Sequence, residues 1–115
     1  MRHQESVIQE QVVRWLNLQY PHILFTCGFA GGKLSIHQGR RLKMAGYRPG
    51  TPDLMIFEAH GGYHALMVEL KTETGTMSAT QKMFRDAAVY AGYLYIVAKG
   101  LSQAQAAVNS YMEAI

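Results

Sequence analysis

Residues 50–71 read GTPDLMIFEAHGGYHALMVELK, and this stretch decides the fold. Two runs within it, Asp53 to Phe57 and Tyr63 to Lys71, are rich in the apolar, β-branched and aromatic residues that suit strands. His60-Gly61-Gly62 between them has hairpin chemistry, and Pro49-Gly50-Thr51-Pro52 ahead of them reads as a sharp turn. The pair carries polar residues where strands are normally apolar. Asp53 stands at the mouth of the first strand; Glu69 and Lys71 lie inside the second. The two-residue period of a strand puts Glu69 and Lys71 on one face and Val68 and Leu70 on the other. A carboxylate and an ammonium one residue apart on the same side of a core strand are costly to bury without a task. Hairpin pairing would bring Asp53 and Glu69 together at one end of the sheet. An edge-strand ion pair beside a turn-capping aspartate accounts for each residue singly, but not for their conjunction.

Two such carboxylates form an oxygen-rich site for a hard divalent cation, with Mg²⁺ usually held by one or two carboxylates plus waters and phosphate oxygens. Such an ion polarises a phosphoryl group and acidifies a bound water. Lys71 is placed to orient or deprotonate that water, or to stabilise charge building on the phosphate. Phosphodiester hydrolysis needs little more.

Working outward, Glu5, Ile8, Gln9, Val12, Trp15 and Leu16 recur at the spacing of one helical face, and Pro21 ends that helix. Ile23 to Thr26 reads as a short strand. Gly28 to Gly32 is a turn, followed by a basic segment through Gly46 with room for a short helix. After the loop Thr72 to Met77, Ser78…Gln81 forms a capping box opening a helix to Tyr90, with Gly92 as its stop. Tyr93 to Ala98 is a further strand, and Ser102…Gln105 is the expected cap of a last helix running to the C-terminus. The order α, β, short α, β, β, α, β, α predicts a mixed sheet with helices on its faces, an α/β fold.

With 115 residues, about half of them apolar, the chain fits a single domain spanning 1–115. Its apolar runs fall far short of the ~20 residues of a membrane span, and the polar N-terminus has no apolar signal region. The lone Cys27 has no intrachain disulfide partner. A cytoplasmic location, in the nucleoid or the cytoplasm of a host cell, is the expectation, with no membrane partner. The net charge of +3 is unevenly spread. No Asp or Glu occurs between Gln11 and Pro52, a stretch that carries Arg14, Lys33, Arg40, Arg41, Lys43 and Arg48. Such a stretch suits phosphate contact through counterion release; a solvated basic surface is the alternative.

Gly50-Thr51-Pro52-Asp53-Leu54, Val68-Glu69-Leu70-Lys71 and Met77-Ser78-Ala79-Thr80-Gln81 together resemble the three blocks of the VRR-NUC family within the PD-(D/E)xK nuclease superfamily. The similarity runs from Glu5 to roughly Ala98. It implies a restriction-endonuclease-like core of order α-β-β-β-α-β. It also implies Mg²⁺ or Mn²⁺ held by Asp53, Glu69 and the carbonyl of Leu70, with Lys71 catalytic. The family's acid on its first helix, in an E-x-x-x-Q arrangement, matches Glu5 and Gln9. Glu10 competes for that role, but it lies ~140° further around the helix, away from the face of Ile8, Val12 and Leu16. Glu5 is the choice.

Gln81 is both the third residue of a capping box and a match to the family's glutamine, which suits a hydrogen bond to water or phosphate. Lys82 and Arg85 on the same helix flank the DNA in this reading, and Lys33, Arg40, Arg41, Lys43 and Arg48 grip its backbone. No base-reading helix or zinc finger is recognisable, so contacts should fall on phosphates and shape. Stand-alone members of the family resemble Holliday-junction resolvases that act as symmetric dimers, which implies a homodimer on branched DNA. A flap or nonspecific nuclease, or an inactive nucleic-acid-binding module, is the alternative.

Overall fold

The computed structural model describes residues 2–28 and 35–115. Eight elements follow in order: α1 (Arg2–Gln19), β1 (Phe25–Cys27), α2 (Ile36–Met44), β2 (Leu54–Ile56), β3 (Leu66–Lys71), α3 (Ala79–Tyr90), β4 (Leu94–Lys99) and α4 (Leu101–Glu113). The four strands form one sheet in the order β1-β2-β3-β4. β1 with β2 and β2 with β3 are antiparallel; β4 runs parallel to β3, reached through the α3 crossover. This is the mixed α/β architecture expected from residues 50–71.

The hairpin between β2 and β3 turns at His60-Gly61-Gly62-Tyr63, where both glycines hold positive φ (60° and 87°), as a two-residue hairpin loop requires. Register then sorts the side chains. Leu66, Val68 and Leu70 of β3 share a face with Leu54 and Ile56 of β2 and with Ala98 of β4. That face is covered by Val12 and Leu16 of α1 and by Ala104, Val108 and Tyr111 of α4, and together these residues are the core. α3 lies against the opposite face, where Phe84 and Ala88 approach Met67. The amphipathic spacing read in α1 is therefore real: Val12 and Leu16 are almost wholly buried, Ile8 and Trp15 partly so.

Several boundaries differ from the sequence expectation. α1 begins at Arg2, so Glu5 sits in its first turn, where a negative charge suits the helix dipole. β1 starts two residues later and ends one later, at Phe25–Cys27. The cap expected at Ser102 is absent: β4 continues to Lys99, Gly100 (φ +89°) turns the chain at once into α4, and Gly100 is its N-cap with no side-chain cap bond. The Gln103 side chain instead accepts from the Lys99 N–H at 2.8 Å. α2 carries a capping box of its own, Ser35 with Gln38, although the helix buries no residue and packs on no other element among the described residues.

Candidate active site

The site is assembled where the C-terminal half of β3 meets the turn before β2 and the start of α3. Leu54 pairs with Val68. Continuing that register one step sets Asp53 opposite Glu69. Asp53 Oδ2 accepts the Leu70 N–H at 2.8 Å, so the aspartate is tied to the backbone of β3 itself. Two glycines make this placement possible. A Cβ at Gly28 would lie 2.3 Å from the Pro52 carbonyl oxygen, and one at Gly50 would lie 2.3 Å from the Thr80 carbonyl oxygen. The turn carrying Asp53 is thus wedged between the end of β1 and the first turn of α3, with backbone on both sides. Gly50 also has φ +85°, a conformation that glycine adopts without penalty. The Gly28 N–H donates to the Asp53 carbonyl and completes the clamp.

All six residues of β3 are buried, including Glu69 (2 % exposed) and Lys71 (6 %). Glu69 Oε2 accepts from Gln81 Nε2 at 2.9 Å and lies 3.6 Å from Lys71 Nζ. Gln81 holds this position because its other end is fixed. Its Oε1 accepts the Ser78 N–H at 2.9 Å while its own N–H donates to Ser78 Oγ, a complete capping box. The cap and the contact to Glu69 are thus made by one side chain at once. Glu69 Oε1, by contrast, is buried with no hydrogen-bond partner.

The electrostatics follow from that burial. Desolvation first, and then the charge of Asp53, push the Glu69 carboxyl up to about 8; Lys71 opposes this and Glu5 adds to it. Burial and a neighbouring acid both disfavour ionisation of this carboxyl, and a cation bound there would favour it. Among the described residues no group of three or more His, Cys, Asp or Glu is arranged to hold a metal ion. Two carboxylates still fit a hard cation that completes its shell with waters and phosphate oxygens, and the orphaned Oε1 is the atom such an ion would satisfy.

A family model described as the VRR-NUC domain matches residues 2–101. The chain belongs to the VRR-NUC family. Two solved structures share the fold. One described as a VRR-NUC domain protein is 23% identical, with a TM-score of 0.80 over 96% of this chain and 88% of its own. Another described as a VRR-NUC domain is 19% identical, with a TM-score of 0.56 over 90% and 97%. Among curated proteins none matches the chain. VRR-NUC membership implies a nuclease-type function with DNA as the partner.

Placed on this VRR-NUC fold, the residues singled out in the sequence fall into three groups. Asp53, Glu69, Leu70, Lys71 and Gln81 converge through the contacts above. Glu5 is half-buried and close enough to Glu69 to raise its pKa, but it does not join the two acids in a three-acid cluster. Glu10 is exposed. Gln9, the other member of the E-x-x-x-Q match, hydrogen-bonds the Cys27 thiol at the end of β1; burial pushes that thiol up, and Asp53 adds to the shift.

The basic residues are more dispersed. Arg40, Arg41 and Lys43 are exposed on α2, whereas Arg48 reaches a small cavity beside Met67, Phe84 and Tyr93. Lys82 is exposed, and Arg85 pairs with Asp86 at 3.0 Å. Lys33 lies outside the described residues. No helix among the described residues is long and apolar enough to cross a membrane.

One residue at the site was read from the sequence only as part of the strand Tyr93 to Ala98. Tyr95 on β4 lies opposite Met67, and so on the face of Glu69. Its hydroxyl is buried without a partner, and burial, then Glu69 and Asp53, raise its pKa well above the usual phenol value. Parallel pairing of β3 with β4 was the missing information. The sequence shows a tyrosine in an apolar strand but not which neighbour it faces.

Proposed function

We propose that this chain is a metal-dependent endodeoxyribonuclease that hydrolyses phosphodiester bonds in branched DNA, acting at four-way junctions as a homodimer. The observation that carries the catalytic part is Glu69: a buried carboxylate with one oxygen held by Gln81 and Lys71, and the other without a partner beside Asp53. Asp53, Glu69 and the Leu70 carbonyl would hold Mg²⁺ or Mn²⁺, with Glu5 adding negative charge nearby from α1. When bound, the ion supplies polarisation of the phosphoryl oxygen and an acidified water. Lys71, held beside Glu69, would orient the attacking water or steady the charge building on the phosphate. Gln81 fixes one oxygen of the Glu69 carboxylate and leaves the other for the ion.

Arg40, Arg41 and Lys43 on α2, together with Lys33, Arg48, Lys82 and Arg85, would contact the sugar-phosphate backbone. The exposure of Arg40, Arg41, Lys43, Arg48 and Lys82, and the absence of acids from Gln11 to Pro52, support that role. The dimer follows from the substrate: a four-way junction has two scission points related by a two-fold axis, and a symmetric pair of copies presents two matching sites.

The test is cleavage of labelled junction, flap and duplex DNA with Mg²⁺ or Mn²⁺ by wild type, Asp53→Ala and Lys71→Ala. Junction-selective cutting by wild type alone supports the reading. Equal cutting of all substrates replaces it with a nonspecific nuclease, and equal binding with no cutting by any protein leaves a binding module. A light-scattering mass at the monomer value removes the dimer.

A further inference from the structure

Tyr95 has no part in the chemistry above, yet its position is specific. Opposite Met67 in β4, it projects from the same face as Glu69, one step along the sheet, with Val97 as the direct neighbour of Glu69. Among the described residues, two buried side-chain polar atoms lack a hydrogen-bond partner: Glu69 Oε1 and the Tyr95 hydroxyl. They are an acceptor and a donor on one face, and the Glu69 carboxylate is the foremost charged group acting on the tyrosine. Orphaned buried polar groups are rare in folded proteins, because each forfeits its bonds to water. A tyrosine needed only for packing would be served as well by phenylalanine, which carries no donor to bury.

We propose that Tyr95 is a positioning residue for Glu69, its hydroxyl donating to Glu69 Oε1 while Gln81 and Lys71 hold Oε2. The three together fix the plane of the carboxylate and leave the second lone pair of Oε1 for a divalent cation. A ligand held this way loses less freedom on binding, and outer contacts of this kind govern affinity as well as geometry. Arg85, whose charge opposes the effect of the two acids on Tyr95, borders the same position from α3. This inference rests on the two-carboxylate cation site proposed above.

The test is Mn²⁺ binding, followed by electron paramagnetic resonance at a temperature where every protein is folded, for wild type, Tyr95→Phe and Glu69→Gln. The melting midpoint of each metal-free protein is measured alongside. Tyr95→Phe is expected to bind Mn²⁺ about tenfold more weakly, whereas its metal-free midpoint stays close to wild type because phenylalanine keeps the packing. A role in packing alone would leave both the affinity and the midpoint at wild-type values, since phenylalanine packs as well. An Mn²⁺ affinity within about threefold of wild type overturns the proposal, whatever the midpoint does. A wild-type protein that binds no Mn²⁺ overturns the cation site first and this inference with it, and that outcome is read on wild type alone.

Discussion

Leu66, Val68 and Leu70 on one side of β3 are as deeply buried as Met67, Glu69 and Lys71 on the other, but burial does different work on the two faces. The first set meets α1 and α4 and closes the core with apolar contacts. The second holds a carboxylate with an unpaired oxygen, an ammonium 3.6 Å from it and a tyrosine with an unpaired hydroxyl. The apolar face supplies the stability that lets the polar face stay unsatisfied. Substitutions on the two faces should therefore separate stability from activity.

The largest effect is expected on the polar side. Replacing Glu69 by Gln should lower single-turnover cleavage by about 10²-fold or more, since an essential charge is lost from the site. Folding should remain intact because the amide keeps the shape and can still bond Gln81. On the opposite face, Leu66→Ala should cost about 2–5 kcal/mol in denaturant unfolding, with activity per folded molecule largely retained. If Leu66→Ala instead abolished cleavage at temperatures where it is folded, the division between the faces would fail.

Gly50→Ala sharpens the comparison from outside the strand. It should cost more than the ~1–2 kcal/mol of a strained left-handed residue, because its Cβ would also press on the Thr80 carbonyl. Relief of that clash would move the turn carrying Asp53, so the variant should lose activity and stability together. Circular dichroism melts paired with cleavage rates would show this.

The pH dependence of the metal-free protein has a definite sign. The Glu69 carboxyl rises from 4.5 to about 8 on folding, so between those values the folded state binds more protons than the unfolded chain. The associated stability is complete below 4.5 and is lost as pH rises through about 8. The melting midpoint should therefore fall across that window in wild type and change less in Glu69→Gln. Binding of a divalent cation should release a proton below about pH 8, measurable by calorimetry in buffers of different ionisation enthalpy.

The two capping boxes provide the smallest and cleanest contrast. Ser35–Gln38 and Ser78–Gln81 have the same residue pattern and the same reciprocal bonds, yet Gln38 faces solvent and Gln81 reaches Glu69. Gln38→Ala and Gln81→Ala should each lose up to about 1 kcal/mol of helix capping. Only Gln81→Ala should also slow cleavage, by about tenfold. Equal activity in the two variants would remove Gln81 from the site.

That contrast also marks what the sequence reveals. The β2–β3 pair, the facing of Glu69 with Lys71, the core face of α1 and the box at Ser78 follow from local periodicity and spacing, and they were legible. The distinction between Gln38 and Gln81, the partnering of Tyr95 with the Glu69 face and the wedge around Gly50 depend on how distant segments pack, and they were not. Ser102…Gln105 shows the converse: its motif has the right letters, but Gly100 turns the chain two residues earlier and the box never forms.

The measurement that bears most directly on the central claim is single-turnover cleavage by Lys71→Ala at DNA concentrations where wild type and variant are equally bound, in Mg²⁺ and in EDTA. A fall of about 10²–10⁴-fold in Mg²⁺, with no cutting by either protein in EDTA, is the predicted result. Cleavage by Lys71→Ala at the wild-type rate, or wild-type cutting undiminished in EDTA, would contradict the assignment of Asp53, Glu69 and Lys71 as a metal-dependent nuclease centre.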